Sequence, residues 1–276
     1  MADWKKILSR GNVEDRRGMS PAVVGGLSLT GFALILLVNY LNGGDLGTVL
    51  NDVGNQVVQQ QSQNATSTTT DEFAGEDEYE IFASTVLGSN NDNWNKVFSG
   101  LGKEYTAPKL VLFRQATQSG CGGASSEVGP HYCNTDTTIY LDETFFDLMS
   151  QKFGAKGGDV AQAYVISHEV GHHVQNLLGT LDRVLDGSND TSIRIELQAD
   201  CFAGIWANSI KDKGILEINE IKEAMDAAAS VGDDRIQEKV QGYTNPESFT
   251  HGTSEQRVRW FTTGYENGTI ASCETF

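Results

Sequence analysis

The chain has 276 residues, enough for one or two domains. Charged residues make up 21% and hydrophobic residues 39%, so the chain can bury a core and is not globally disordered. The formal net charge is −17, and because residues 1–20 carry a net +2, the remainder carries −19. A domain this acidic repels phosphate groups, which argues against nucleic acid as a partner.

An uncharged stretch near the N-terminus predicts a membrane anchor. Gly18–Gly44 contains no charged residue, and Ala22–Leu41 supplies the about 20 residues that a helix needs to cross a bilayer. A cleaved signal peptide is the alternative, but its apolar part spans about 7–15 residues and ends in a small-residue cleavage pattern, which Asn39–Gly44 lacks. We therefore predict a retained transmembrane helix over residues 21–42.

The charges that flank this stretch predict its direction. Cations precede it, and Asp45 and Asp52 follow it. The positive-inside rule therefore predicts a cytoplasmic N-terminal segment at 1–20, with the rest of the chain outside the cell membrane. Residues 43–72, which include a run rich in Gln, Ser, Thr and Asn, are expected to form a flexible stalk. Globular composition follows, so we expect one folded domain over 73–276.

Hydrophobic spacing predicts that the folded domain begins with helices at Glu78–Leu87 and Trp94–Leu101. Two β-branched and apolar runs, Lys109–Phe113 and Thr137–Leu141, predict strands. Further helices are predicted at about 144–153, 160–178, 192–209, 215–229 and 254–263. The sequence thus predicts an α+β domain that is mostly helical, with a small sheet early in the chain.

The four cysteines are consistent with two disulfides in an exported domain. Three pairings are possible, of which we favour Cys121–Cys133 and Cys201–Cys273. The first pair is close in sequence and brackets a Gly-rich loop, and the second would tie the chain end to a helix. A zinc–thiolate site is a weaker alternative because the chain contains no C-x-x-C.

The segment His168-Glu-Val-Gly-His172 matches H-E-x-x-H. Residues four apart lie on one helix face, so both imidazoles can reach one zinc ion, and Glu169 can touch a water on that ion. The competing interpretation is a pair of core histidines, which is less favoured in a chain with only five histidines. His173 points away and is expected to be structural or to support the ligands, while Asp159 can cap the start of this helix.

A catalytic zinc site needs a third protein ligand and an open position. The downstream candidates are Glu196, Asp200 and His251. Glu196 and Asp200 are four apart and so share one helix face. That face could be a solvated acidic surface, but the helix is rich in apolar residues, and two carboxylates in such surroundings require a cation. We predict Glu196 as the third zinc ligand and Asp200 as the acceptor that fixes the tautomer of a ligand histidine.

Together these residues resemble a known family. His168–His172 with Glu196–Asp200 is similar to the gluzincins, zinc peptidases whose third ligand is a glutamate. Closer resemblance to the bacterial "putative neutral zinc metallopeptidase" family rests on Asn12–Arg17, Ser119–Gly122, Tyr140–Asp142 and Ser248–Arg257. The resemblance implies a zincin-like fold, one zinc ion and peptide hydrolysis in the cell envelope.

The expected function is therefore that of a membrane-anchored zinc metallopeptidase with protein or peptide substrates. Glu169 would act as the general base toward a zinc-activated water and then protonate the leaving amine. His251 either donates to the developing oxyanion or packs the site wall and braces a carboxylate; a capping box at Thr253–Gln256 follows it. By analogy with zincins, Thr137–Leu141 is the candidate edge strand for an extended substrate.

The alternative function is a catalytically silent zinc-binding protein that serves in envelope assembly or in protein interaction. Glu169 argues against it, because a purely structural zinc site does not need that carboxylate. A transport accessory role is disfavoured because the predicted span carries no charged residue to form a pathway.

Overall fold

The computed structural model of the chain describes residues 2–18, 77–125, 129–153, 158–183 and 187–276. The predicted anchor at 21–42 and the predicted stalk at 43–72 lie outside these residues. Among the helices that are described, none combines the length and the apolar character needed to span a bilayer. The anchor and the cellular location therefore stay predictions.

Helices dominate the described part of the chain. They are α1 Glu78–Gly100, α2 Thr144–Phe153, α3 Asp159–Leu178, α4 Thr180–Arg183, α5 Asn189–Ile210, α6 Ile218–Ser230, α7 Asp233–Gln241 and α8 Ser254–Asn267. A mostly helical domain is therefore confirmed, and α2, α3, α5, α6 and α8 lie close to their predicted ranges.

Six short strands form two small sheets. They are β1 Val13–Asp15, β2 Lys109–Phe113, β3 Ala116–Ser119, β4 Gly122–Ser125, β5 His131–Cys133 and β6 Thr138–Asp142. Four of them make one sheet in the order β1-β2-β6-β5, in which β1, β2 and β6 run parallel and β5 is an antiparallel edge. Strands β3 and β4 form a separate hairpin. The α+β class with a small sheet is confirmed.

The two helices predicted in the 78–101 region are one continuous helix, α1. The polar residues around Asn90 suggest that the helix is interrupted there, but the Asn90 side chain is buried. Its amide donates to the Val86 carbonyl at 3.0 Å and to Ser167 Oγ at 2.9 Å. Because the polar side chain finds partners within the helix and on α3, the helix continues.

Helix α3 carries the H-E-x-x-H segment through the centre of the domain and packs on α1, α5 and α6. A close approach of α5 to α3 depends on Gly171, the glycine between the two predicted histidine ligands. A Cβ at this position would lie 2.9 Å from the Ala199 carbonyl oxygen. The absence of a side chain therefore lets α5 come near enough to bring its own polar residues to the histidine face.

Residues 2–18, which are predicted to be a segment separate from the domain, instead contribute to its core. Ile7 and Val13 are buried in the same apolar cluster as the central helices. Strand β1 pairs with β2, with Val13 opposite Leu110. The Trp4 ring lies parallel to that of Trp206, with 6.4 Å between centroids.

Asp159 does not have its predicted role as the helix cap, and instead contacts residues 2–18. The N-cap of α3 is Gly158, whose position offers no side chain, and Asp159 is the first helical residue. Its carboxylate accepts hydrogen bonds from Trp4 Nε1 at 2.8 Å and from the Ala2 backbone N–H at 3.1 Å. Asp159 therefore connects the N-terminal segment to the start of the H-E-x-x-H helix.

Both favoured cysteine pairings are present as disulfides in the structure. Cys121–Cys133 joins residues 12 apart, and Cys201–Cys273 joins residues 72 apart. The second bond attaches the C-terminal end of the chain to α5, on which Glu196 and Asp200 lie. It therefore constrains the helix that brings acidic residues to the histidines.

Loop length predicts unequal contributions of the two disulfides to stability. Chain entropy gives about 4 kcal/mol for closing the longer loop and about 3 kcal/mol for the shorter one. We expect replacement of Cys201 and Cys273 by Ser to lower the free energy of unfolding more than replacement of Cys121 and Cys133. Urea unfolding of the two double variants measures both, and a reversed order would contradict the expectation.

Candidate metal centre

Three of the predicted site residues converge. His168 and His172 lie one turn apart on α3, and Glu196 faces them from α5. One ligand atom from each lies within 4.8 Å of the others. The nearest approaches are His168 Nε2 to Glu196 Oε2 at 3.2 Å and His172 Nε2 to Glu196 Oε1 at 3.4 Å. Two nitrogens and a carboxylate at this spacing can hold one metal ion.

In both histidines a hydrogen bond at Nδ1 directs the other ring nitrogen, Nε2, toward Glu196. His168 donates its Nδ1–H to Asp200 Oδ1 at 2.9 Å, and His172 donates its Nδ1–H to Gln175 Oε1 at 2.9 Å. Each donation leaves Nε2 as the ring nitrogen that faces Glu196, where a metal ion can take the place of a proton. A set of two imidazole nitrogens and one carboxylate, with hydrogen bonds fixing both rings, fits a catalytic zinc ion.

Asp200 is fully buried and lies at the centre of a polar cluster behind His168. Arg257 from α8 binds it through two N–H groups of its guanidinium. Nε donates to Oδ2 at 2.8 Å, and Nη2 donates to Oδ1 at 2.9 Å. The Tyr164 hydroxyl donates to Oδ1 at 2.5 Å and accepts from Arg257 Nη2 at 3.2 Å. These contacts fix the carboxylate that orients His168.

The electrostatics of the cluster favour positive charge between the three donors. Burial lowers the pKa of His168, but the Asp200 and Glu196 carboxylates outweigh it and raise the pKa to about 10. Burial raises the pKa of Glu196, but His172, His168 and Arg257 together hold it well below its usual range. Since a carboxylate that stays ionised in a buried site needs a cation, the environment suits a divalent metal.

The three donors open into a cavity of about 600 Å³. Glu169, which is nearly buried, lines this cavity together with His168 and His172. His251 lines it from the loop before α8 and is about half-exposed. The predicted general base and the predicted oxyanion donor therefore share one space with the candidate metal ligands.

His251 is held by a carboxylate at the start of α7. Its Nδ1 lies 3.3 Å from Asp233 Oδ1, and its backbone N–H donates to Asp233 Oδ2 at 2.6 Å. The hydrogen bond to Asp233 raises the pKa of His251. The capping box predicted after it is confirmed, with Thr253 as the N-cap of α8 and Gln256 as its partner.

His173 lies on a different side of α3 from the two candidate ligands. Its Nε2–H donates to the Thr106 carbonyl at 2.6 Å, and its Nδ1 accepts from the Tyr132 hydroxyl at 3.0 Å. The same hydroxyl receives a hydrogen bond from Asn176. His173 thus connects α3 to strand β5.

The proposed substrate strand needs a correction. Thr137–Leu141 corresponds to β6, which is paired on one side with β2 and on the other with β5 and so has no free edge. The two edge strands of this sheet are β1 and β5, and of these β5 lies at the cavity, which its residues His131 and Tyr132 line. The prediction failed because a three-residue strand with two aromatic positions gives little alternating signal.

Several residues of the site are not identified from the sequence. Gln175 lies three residues after His172, a spacing at which helical side chains meet, so this contact could have been inferred. No comparable spacing pattern in the sequence indicates that Tyr164, Asp233 or Arg257 belongs to the site. Arg257 lies 57 residues from Asp200 in the chain, and only the packing of α8 on α5 brings the two together.

Comparison with known proteins assigns the chain to a family. The sequence model of the family described as "Putative neutral zinc metallopeptidase" matches residues 2–276, so the chain belongs to this family. Uncharacterized protein YpfJ of Escherichia coli K12 is 44% identical over 292 aligned positions, which cover 99% of this chain and 98% of that protein. Uncharacterized protein Rv2575 of Mycobacterium tuberculosis H37Rv is 46% identical over 196 positions, 66% of each chain. No solved structure matches the chain.

The hydrogen bond from His172 predicts a role for Gln175 in metal affinity. We expect Gln175→Ala to weaken zinc binding about 10–100-fold, because His172 loses the acceptor that fixes its ring. Gln162→Ala, on the same helix but away from the histidines, is the matched control. Competition with a chromophoric chelator at neutral pH measures both affinities; equal affinities for a folded Gln175→Ala variant and the control would refute this role.

Proposed function

We propose that this protein is a zinc metallopeptidase that hydrolyses peptide bonds in protein or peptide substrates. The observation that carries the proposal is the position of Glu169 in the same cavity as two imidazole lone pairs and a carboxylate. A structural zinc site would have no use for a further, cavity-facing acid beside its three ligands. Family membership supports the same assignment.

His168, His172 and Glu196 would hold one zinc ion, and three protein donors leave a position for solvent or substrate. When bound, zinc lowers the pKa of a coordinated water and polarises the scissile carbonyl. The surrounding residues keep the donors in the required state: Asp200 and Gln175 each take an Nδ1–H, so Nε2 stays available as a ligand.

Glu169 is assigned the proton transfers. Its carboxylate takes a proton from the water that attacks the carbonyl carbon, and it returns that proton to the amine nitrogen as the carbon–nitrogen bond breaks. The carboxylate is unchanged at the end of the cycle, and one water is consumed for each peptide bond. Its position directly after His168 on α3 keeps it beside the metal ligands.

His251 is assigned to the oxyanion that develops on the carbonyl oxygen. The Asp233 carboxylate accepts from its ring and favours the protonated, donating form. It lines the same cavity as the candidate metal ligands and Glu169, where such a donor is needed. The competing role, a brace for Asp233 alone, predicts no effect on turnover.

An extended substrate is expected to bind along β5. The strand is the sheet edge beside the cavity, and residues Gly129–Tyr132 line that space. Apolar side chains of Phe145, Val165 and Ile236 also line it. Main-chain hydrogen bonds to the strand would hold the peptide backbone, while the apolar wall would receive one of its side chains.

We further propose that the peptidase domain functions outside the cytoplasm, in the cell envelope. Two disulfides among the described cysteines support an oxidising location. The uncharged stretch Gly18–Gly44 supports an association with the membrane.

Glu169→Gln is the direct test of the chemistry. We expect the variant to retain one zinc ion per chain and to lose about 10²–10⁴-fold in turnover, because the amide cannot accept the proton. The measurement is cleavage of a mixed peptide library, with zinc content determined on the same sample and chelated wild type as the inactive reference. Wild-type turnover in a zinc-loaded variant would exclude Glu169 as the base. Zinc-loaded wild type that cleaves nothing would favour the non-catalytic alternative.

His251→Phe separates the two roles of this histidine. If His251 stabilises the oxyanion, kcat falls about 10²-fold while KM and zinc content change little. Steady-state kinetics on a peptide found in the library screen gives both constants. Unchanged turnover would leave His251 only its contact with Asp233.

A further inference from the structure

The described residues on either side of the predicted anchor and stalk contact each other. Arg17 Nη2 lies 3.3 Å from Asp77 Oδ2 and 3.4 Å from Glu80 Oε1. Arg17 also binds Asp15 and Glu143, and its side chain is buried. The last residues before the uncharged stretch and the first residues of α1 are therefore fixed to one another by an ionic cluster around the buried Arg17 side chain.

The contacts of residues 2–18 extend well beyond this cluster. Gly11 exchanges two hydrogen bonds with α1: its N–H donates to the Ser84 carbonyl at 2.7 Å, and its carbonyl accepts from Ser84 Oγ at 3.0 Å. Gly88 on the same helix lets the N-terminal backbone approach, since a Cβ there would lie 2.6 Å from the Arg10 nitrogen. Such packing requires the N-terminal segment and the domain to share one compartment.

A single membrane crossing between residues 18 and 77 would place these two parts in different compartments. Exchange of N-terminal segments between two copies would not help, because every copy would have its N-terminus on the wrong side. A stretch of chain that is docked on one domain at both of its ends must begin and end on the same side of the bilayer. It therefore cannot cross the bilayer once.

We propose that residues 2–18 are part of the peptidase domain and lie on the same side of the membrane as the active site. The proposal replaces the expected single crossing with a cytoplasmic N-terminus. It does not depend on peptidase activity, and it is compatible with a domain in the envelope.

Cysteine labelling in the full-length chain tests the arrangement. Leu8 is 88% exposed and Val240 is 71% exposed, so Leu8→Cys and Val240→Cys add one reactive thiol each without disturbing the core. Sealed membrane vesicles are treated with a membrane-impermeant maleimide before and after detergent. We expect both thiols to react in the same step, whichever side that is. Reaction of one before detergent and of the other only after it would overturn the proposal.

A matched pair of glycine substitutions on α1 gives a second, independent readout. Gly88→Ala places a methyl group against the Arg10 backbone, whereas Gly100→Ala meets no atom within 4 Å. With the segment docked, we expect Gly88→Ala to lower the midpoint of thermal aggregation in intact vesicles by about 3–10 °C, and Gly100→Ala to leave it unchanged or raise it. If the segment lies across the membrane, both sites are open and alanine raises helix stability at both. An equal or higher midpoint for Gly88→Ala therefore contradicts the proposal.

Discussion

The hydrogen bond from His168 to Asp200 is the contact on which the site depends. It turns Nε2 of His168 toward Glu196, and the Asp200 carboxylate is itself fixed by Arg257 from α8 and by Tyr164 from α3. Asp200 is fully buried, so removing Arg257 would leave an unpaired interior charge, a loss of about 3–5 kcal/mol. The ionic cluster therefore holds together α3, α5 and α8 and sets the direction of a candidate ligand at the same time.

The packing of the helices follows from the same requirement. Gly171 lets α5 approach α3 closely, and the Cys201–Cys273 disulfide fastens the chain end to α5. Glu196 and Asp200 lie one turn apart on that helix, so one carboxylate reaches the gap between the histidines and the other reaches behind them. A small displacement of α5 would move both acids together, which explains why close backbone contact and a covalent bond both act on this helix.

The sequence predicts much of the site because its strongest signals are local. H-E-x-x-H and the Glu196–Asp200 pair each lie within one helix, where spacing alone determines which side chains share a face. The disulfide pairings, most helices and strand β2 are likewise predicted. Strand β1 is not, because Val13–Asp15 carries two acids and forms a strand only by pairing with β2, about 95 residues away. Arg257 and Asp233 are missed for the same reason, since their partners are distant in the chain.

Zinc held by two imidazoles and one carboxylate is the central claim, and X-ray absorption at the zinc edge of the purified, zinc-loaded protein tests it most directly. We predict a first shell of nitrogen and oxygen at about 2.0–2.1 Å, with the outer-shell scattering of two histidine rings and no sulfur. A shell containing sulfur at about 2.3 Å, or one without imidazole scattering, would contradict the account.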